Sequence, residues 1–146
     1  MDRYVLSGQP FLLIMHYEYD RILLMKKGKL TQNGVHLQEH EWKTVKYFLE
    51  NGKDIILLPK SNIKNFRIAD IIMDGEPWEI KAPKGNGRYT AQNILQDAAG
   101  QSRNVIIDLH GCKMNDDNAK ARFEREFVNS KTIKRMKIID KSRKVA

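Results

Sequence analysis

The stretch ADIIMDGEPWEIKAP, Ala69 to Pro83, sets two acids and an amine into an otherwise apolar hairpin. Ile71-Ile72-Met73 is a strand candidate, Asp74-Gly75 is a strong two-residue turn signal, and Trp78-Glu79-Ile80-Lys81 alternates apolar with charged. Pro77 lies near the start of the second strand, where a missing donor is tolerated. With Asp74-Gly75 as the loop, Met73 faces Glu76, Ile71 faces Trp78 and Asp70 faces Glu79. Side chains alternate with period two. Asp70, Glu79 and Lys81 therefore share one face, and Ala69, Ile71, Met73, Trp78 and Ile80 the other. Opposed carboxylates start roughly 5 Å apart and repel. On a buried face they do not both ionise without compensation. A divalent cation, Mg²⁺ or Mn²⁺, supplies it, since such ions take one or two carboxylates plus water and phosphate oxygens. Asp70 and Glu79 are the expected metal ligands, with Lys81 beside them to orient a water or neutralise phosphate charge. The bland alternative is a solvated face with a cross-strand Glu–Lys pair.

These residues need elements to hold them. Leu37 to Asn51 reads as a helix, with Leu37, Glu41, Val45, Phe48 and Leu49 on one face and Gly52 as its C′ residue. Glu41 thus points inward, which disfavours a carboxylate without a partner. Glu39 and His40 turn away from that stripe. Asp54 to Pro59 is a short buried strand, and Lys60 to Arg67 a polar loop. Ala82 to Arg88 is a flexible basic loop whose Lys84 and Arg88 can meet phosphates, although it lacks the P-loop pattern. Its two glycines permit positive φ. Tyr89 to Gln101 reads as a helix with Ile94, Leu95 and Ala98 inward, and Asn104 to Leu109 as a central strand. Asp116 to Asn129 reads as an amphipathic helix with Ala119, Phe123, Phe127 and Val128 on its apolar face, and Met136 to Asp140 as a last strand. Nearer the start, FLLIMHYEY and RILLM suggest two short strands, or a strand and a helical turn, with His16 more structural than catalytic.

The order Asp70, hairpin, Glu79-Ile80-Lys81, helix, strand resembles the PD-(D/E)xK nuclease core. The stretch GKDIILLPKSN…ADIIMDGEPWEIKAP…QSRNVIIDL also resembles C-terminal toxin domains of contact-dependent growth-inhibition systems, several of which are tRNA nucleases. The resemblance spans Glu39 to Leu109, about half the chain, and Ala69 stands where the signature often has Pro. It implies an α/β (α+β) fold, with a mixed central β-sheet flanked by helices. It also implies that the first core helix contributes an acid, Glu41, and that a glutamine supports the site, Gln101 ahead of Gln92 and Gln96. The implied substrate is RNA, favouring tRNA, with DNA still open. The implied setting is the cytoplasm of a target cell, with a cognate immunity protein as partner.

Length and charge agree with such a reading. The chain of 146 residues suits one domain, with its core at about 37–110 and a basic helix and strand at 116–141. The net charge of +8 argues for a polyanionic partner. Arg122 and Arg125, on the C-terminal helix, join Lys84 and Arg88 as candidate nucleic-acid contacts. No apolar run approaches the length of a membrane span, and no secretory signal is visible. Cys112, the single cysteine, excludes an internal disulfide or a cysteine metal cluster and reads as a loop or packing residue. No helix-turn-helix or finger pattern is present. Two competing readings remain. One is a metal-independent RNase of the barnase/EndoU/colicin/RelE type using His16, His110, Lys81 and Arg88. The other is a non-catalytic nucleic-acid binder. A plain loop role for His110 is the favoured one.

Overall fold

The computed structural model describes residues 27–146. The segments expected near the start of the chain, with His16, lie outside the described residues. A six-stranded mixed sheet runs in the order β1 (Leu30–Thr31), β2 (Ile55–Leu57), β3 (Ile71–Met73), β4 (Glu76–Lys81), β5 (Asn104–Asp108) and β6 (Arg135–Ile139). Three helices are interleaved: α1 (Glu39–Glu50) after β1, α2 (Thr90–Ala99) after β4 and α3 (Asp116–Asn129) after β5. β2–β3 and β3–β4 are antiparallel, while β1–β2, β4–β5 and β5–β6 are parallel and connect through the helices. This is the α+β architecture with a helix-flanked mixed sheet that the sequence implied.

Alternation along the strands divides the core in two. Ile55, Leu57, Ile71, Met73, Trp78, Ile80, Ile106 and Ile139 pack with Val45 and Phe48 of α1. Val105, Ile107 and Ile138 pack with Ala91, Leu95 and Ala98 of α2 and Ala119 and Phe123 of α3. Neighbours such as Ile106 and Ile107 thus serve opposite faces, with α1 on one and α2 and α3 on the other. β5 is buried along its whole length, as expected of a parallel strand covered on both faces.

The hairpin adopts the register expected from its turn, with Ile71 opposite Trp78 and Met73 opposite Glu76. Asp74 and Gly75 both take positive φ, 51° and 81°, which a two-residue type I′ loop requires. Gly52, at φ 83°, donates its N–H to the Leu49 carbonyl beyond α1, as a C′ glycine does.

Some boundaries and one burial expectation change. α1 starts at Glu39 rather than Leu37, β2 covers only Ile55–Leu57, and α2 ends at Ala99. Val128 does not share the apolar face of α3 and is 79% exposed. Ala119, Phe123 and Phe127 recur every fourth residue; Val128 falls one step, roughly 100°, off that line. Gly85 and Gly87 are absent from the positive-φ positions, so the basic loop does not use their freedom. Among the described residues no helix is long and apolar enough to cross a membrane.

Candidate active site

β4 changes partner along its length, and the site lies where it does so. Its first half, Glu76 to Trp78, pairs with β3; its second half, Glu79 to Lys81, pairs with β5. At this fork the Ile80 N–H has lost its β3 partner. Asp70, one residue before β3, fills the gap: its Oδ2 accepts from Ile80 N at 2.8 Å. Asp70 is buried, and its backbone N–H reaches the Trp78 carbonyl at 3.1 Å. An acid just ahead of β3 is thus fixed by main-chain hydrogen bonding before any ligand is considered.

Glu79 sits on the neighbouring strand, pointing to the α2 side, and is 3% exposed. Its Oε1 accepts from Gln101 Nε2 at 2.6 Å and lies 3.2 Å from Lys81 Nζ. Its Oε2 has no partner, the one buried side-chain polar atom in that condition among the described residues. Burial, followed by the nearby Asp70 charge, pushes the Glu79 carboxyl up to about 8, against the opposing pull of Lys81. Lys81 is held between Glu79 and Asp97 of α2, whose Oδ2 is 2.5 Å from its Nζ. Arg67 reaches the same Asp97 at 2.7 Å. Hydrogen bonds from Arg67 and Lys81 hold the Asp97 carboxyl well below the usual range.

Glu41 approaches from α1. It is buried, as its place on the apolar stripe required. Its Oε2 accepts from the Gln38 backbone N–H at 2.9 Å, the acid half of a capping box. Its Oε1 lies 2.9 Å from Lys60 Nζ, and that ammonium is also 2.8 Å from Asp70 Oδ1. One lysine therefore joins Glu41 to Asp70. Burial pulls the Lys60 ammonium down, but the hydrogen bonds and charges of Asp70 and Glu41 outweigh it and raise its pKa.

The structure thus brings Asp70, Glu79, Lys81, Glu41 and Gln101 to one end of the β3–β4 fork. Gln92 and Gln96 do not join them; they line a cavity of about 400 Å³ between α2 and the segment after α3. Lys60 and Asp97 escaped the sequence reading. For Lys60 a signal existed: β2 pairs with β3 so that Leu57 faces Ile71, and Leu58 N donates to the Asp70 carbonyl. Counting two residues past Leu58 puts Lys60 on the same side as Asp70. Asp97 carried no comparable signal, being one polar residue among several on the outer face of α2.

The basic elements converge beside the site's helix. Lys84 and Arg88 are exposed in the loop after β4, and Arg88 stacks over the Tyr89 ring at 5.5 Å. Arg122 donates to the carbonyls of Asn86 and Gly87 at 3.4 and 3.2 Å, so α3 braces the loop. Arg125 is exposed one turn further on. Cys112 is buried, its Sγ donating to the Gly85 carbonyl at 3.5 Å, a packing role. His110 belongs to a different group. It follows β5, its Nδ1 lies 2.9 Å from Asp108 Oδ1, and it lines a cleft of about 700 Å³ with Lys43, Lys46, Tyr47 and Arg143 on the α1 side.

The donor set accommodates a divalent cation in a limited way. Asp70 and Glu79 are buried acids at the strand fork, and Glu79 Oε2 has no hydrogen-bond partner among the described residues. No group of three or more His, Cys, Asp or Glu side chains among the described residues is arranged as a metal cluster. An ion here would rest on two carboxylates, with water and phosphate oxygens completing its shell, the habit of Mg²⁺.

No curated protein matches the sequence. The structure is similar to the CdiA-CT/CdiI toxin and immunity complex from Burkholderia pseudomallei, with a TM-score of 0.58 and 15% identity, covering 82% of this chain and 97% of that one. At that identity the likeness concerns the fold. The family described as "Contact-dependent growth inhibition CdiA C-terminal domain" matches residues 67–145, which hold Asp70, Glu79, Lys81 and Gln101. The match extends over more than half of the chain, and the chain belongs to the CdiA C-terminal toxin domain family of contact-dependent growth inhibition.

Proposed function

We propose that this toxin domain is a metal-dependent nuclease of the PD-(D/E)xK type that cleaves phosphodiester bonds of RNA, with tRNA the favoured substrate. The observation that carries the reading is Glu79: buried, one oxygen unpartnered, its pKa raised to about 8, and next to Asp70 on the strand fork. A structural carboxylate is normally satisfied. An unsatisfied one beside a second acid suits a cation supplied from outside.

Asp70 and Glu79 would hold Mg²⁺ or Mn²⁺, with Glu41 as a further acid linked to Asp70 through Lys60. Such an ion lowers the pKa of a bound water and stabilises a leaving oxygen. The chain's own groups do the rest. Gln101 holds the Glu79 carboxylate through Oε1, and Oε2 keeps no partner among the described residues. Asp97 and Glu79 clamp Lys81, so its ammonium is presented at one position to orient the attacking water or to neutralise charge on the pentacoordinate phosphate. Lys84, Arg88, Arg122 and Arg125 follow the substrate backbone by charge, in keeping with a substrate read by shape. The domain acts in the cytoplasm of the target cell, and a cognate immunity protein, such as the one in the similar complex from Burkholderia pseudomallei, is its partner.

The metal-independent alternative has less support. His16 lies outside the described residues, and His110 is held by Asp108 on the α1 side of the sheet, whereas Lys81 is bound to Asp97 of α2. His110 and Lys81 do not form one acid–base group. Purified protein incubated with total RNA and plasmid DNA, in Mg²⁺, Mn²⁺ or EDTA, tests the proposal. Metal-supported RNA cleavage is expected, and cleavage that persists in EDTA overturns it in favour of the alternative.

A further inference from the structure

Lys60 has the geometry of an ion. Its ammonium stands 2.9 Å from Glu41 Oε1 and 2.8 Å from Asp70 Oδ1, linking two buried acids from different elements. It is not itself locked in place. Its side chain is 61% exposed, and it springs from the irregular segment between β2 and β3. The site gathers three buried acids, Glu41, Asp70 and Glu79, and the cations that meet them from the described elements are Lys60 and Lys81. Buried carboxylates that face one another repel unless a cation compensates them, and Lys60 stands between Glu41 and Asp70.

We infer that Lys60 is a resident counter-ion that occupies the cation position between Glu41 and Asp70 in the metal-free domain and withdraws when a divalent ion binds. The inference rests on the metal-dependent reading above. A compact +2 ion held by Asp70 and Glu79 would compete with the +1 ammonium for Asp70 Oδ1, since Asp70 Oδ2 is already committed to the Ile80 N–H. Lys60 can leave without disturbing the core, because its stem is flexible and its outer side is open to water. The arrangement keeps Glu41 and Asp70 buried and compensated in the absence of metal. Affinity for the ion is lowered as a consequence, because the ammonium has to be displaced.

Wild type, Lys60→Gln and Lys60→Arg are compared by thermal denaturation and by titration calorimetry with Mg²⁺ and Mn²⁺, without nucleic acid. In EDTA the glutamine variant melts several degrees lower. With metal it shows the larger rise in Tm and binds about tenfold more tightly than wild type, while the arginine variant keeps wild-type behaviour. Equal metal affinity in wild type and Lys60→Gln overturns the role of Lys60 and leaves the metal reading standing. No response to metal in either protein overturns both. If Lys60→Gln does not fold, wild type alone still decides. Labelling of Lys60 by an amine-reactive reagent, read by mass spectrometry against exposed Lys64, rises on adding Mg²⁺ if the ammonium is released. Unchanged labelling overturns the inference.

Discussion

Two buried acids on adjacent parallel strands, Glu79 on β4 and Asp108 on β5, have opposite fates. Asp108 is 0% exposed and fully satisfied. Its Oδ2 accepts from Thr44 Oγ1 at 2.7 Å, and its Oδ1 from Arg143 at 2.7 Å and from the His110 backbone N–H at 3.1 Å, with His110 Nδ1 at 2.9 Å. Burial pushes its carboxyl up, but hydrogen bonds from Arg143, Thr44 and His110 outweigh burial and hold it below the ordinary value. Glu79 has one oxygen without a partner, and its carboxyl is pushed up to about 8. Depth alone does not separate a structural acid from one proposed to bind metal, since both are buried. The number of donors supplied by the chain does: Asp108 ties α1, β5 and the C-terminal tail together, and Glu79 is left incomplete.

Substitution should split the two acids cleanly. Asp70→Asn or Glu79→Gln is expected to reduce RNA cleavage on the order of 10³-fold while the fold persists, measured as single-turnover rates on tRNA together with circular dichroism. Asp108→Ala is expected to destabilise the domain by about 3–5 kcal/mol, because the Arg143 guanidinium and Thr44 lose their buried partner. Urea denaturation reads that loss. A destabilised Glu79→Gln with intact activity would reverse the roles assigned to the two acids.

Their pH dependences should also run in opposite directions. Glu79 has a folded pKa above its unfolded value, so its contribution is complete below the usual glutamate range and is lost as pH rises towards about 8. Asp108 has a depressed pKa, so its contribution is present at neutral pH and is lost on acidification. In metal-free buffer Glu79→Gln should therefore equal wild type near pH 4. Near pH 9 it should be the more stable protein by a few kcal/mol, since a tenfold change in proton affinity on folding is worth about 1.4 kcal/mol. Melting curves across pH check this, and a Glu79→Gln curve parallel to wild type would remove the case for a strained acid. A smaller effect falls on the groups that orient Glu79 and Lys81: Gln101→Ala or Asp97→Asn should lower activity roughly 10–100-fold, the range for partners one step removed from a metal site.

Much of this contrast was legible in the chain. The Asp74-Gly75 turn fixes hairpin register, and with a period of two the shared face of Asp70 and Glu79 follows. The inward position of Glu41 follows from the spacing of the α1 stripe. Gln101 came from resemblance, and its contact with Glu79 came from the structure. What sequence periodicity does not carry is pairing between remote, irregular segments. Arg143 meets Asp108 across 35 positions, from a tail residue with φ 64° that no pattern announces. Lys60 lies in a loop without periodicity, and only strand register beyond the end of β2 would have aimed it. Val128 misled for the converse reason: a hydrophobic residue adjacent to the stripe is not on it.

The smallest effects belong to the basic surface, where two arginines of α3 separate charge from architecture. Arg125 is exposed, and its one ion pair among the described residues is a 3.9 Å approach to Glu126, so Arg125→Ala removes a charge and little else. Arg122 also holds the carbonyls of Asn86 and Gly87, and those carbonyls belong to the loop that presents Lys84 and Arg88. If each arginine contacts one phosphate of a single-stranded segment, Arg125→Ala should lower the slope of log affinity against log salt by about 0.7. Arg122→Ala should lower it further, because the loosened loop would also weaken the proposed phosphate contacts of Lys84 and Arg88. Binding of labelled RNA in EDTA at several salt concentrations measures both slopes without cleavage. Equal slopes for the two variants would mean that the brace on the loop contributes nothing to binding and that α3 acts through charge alone.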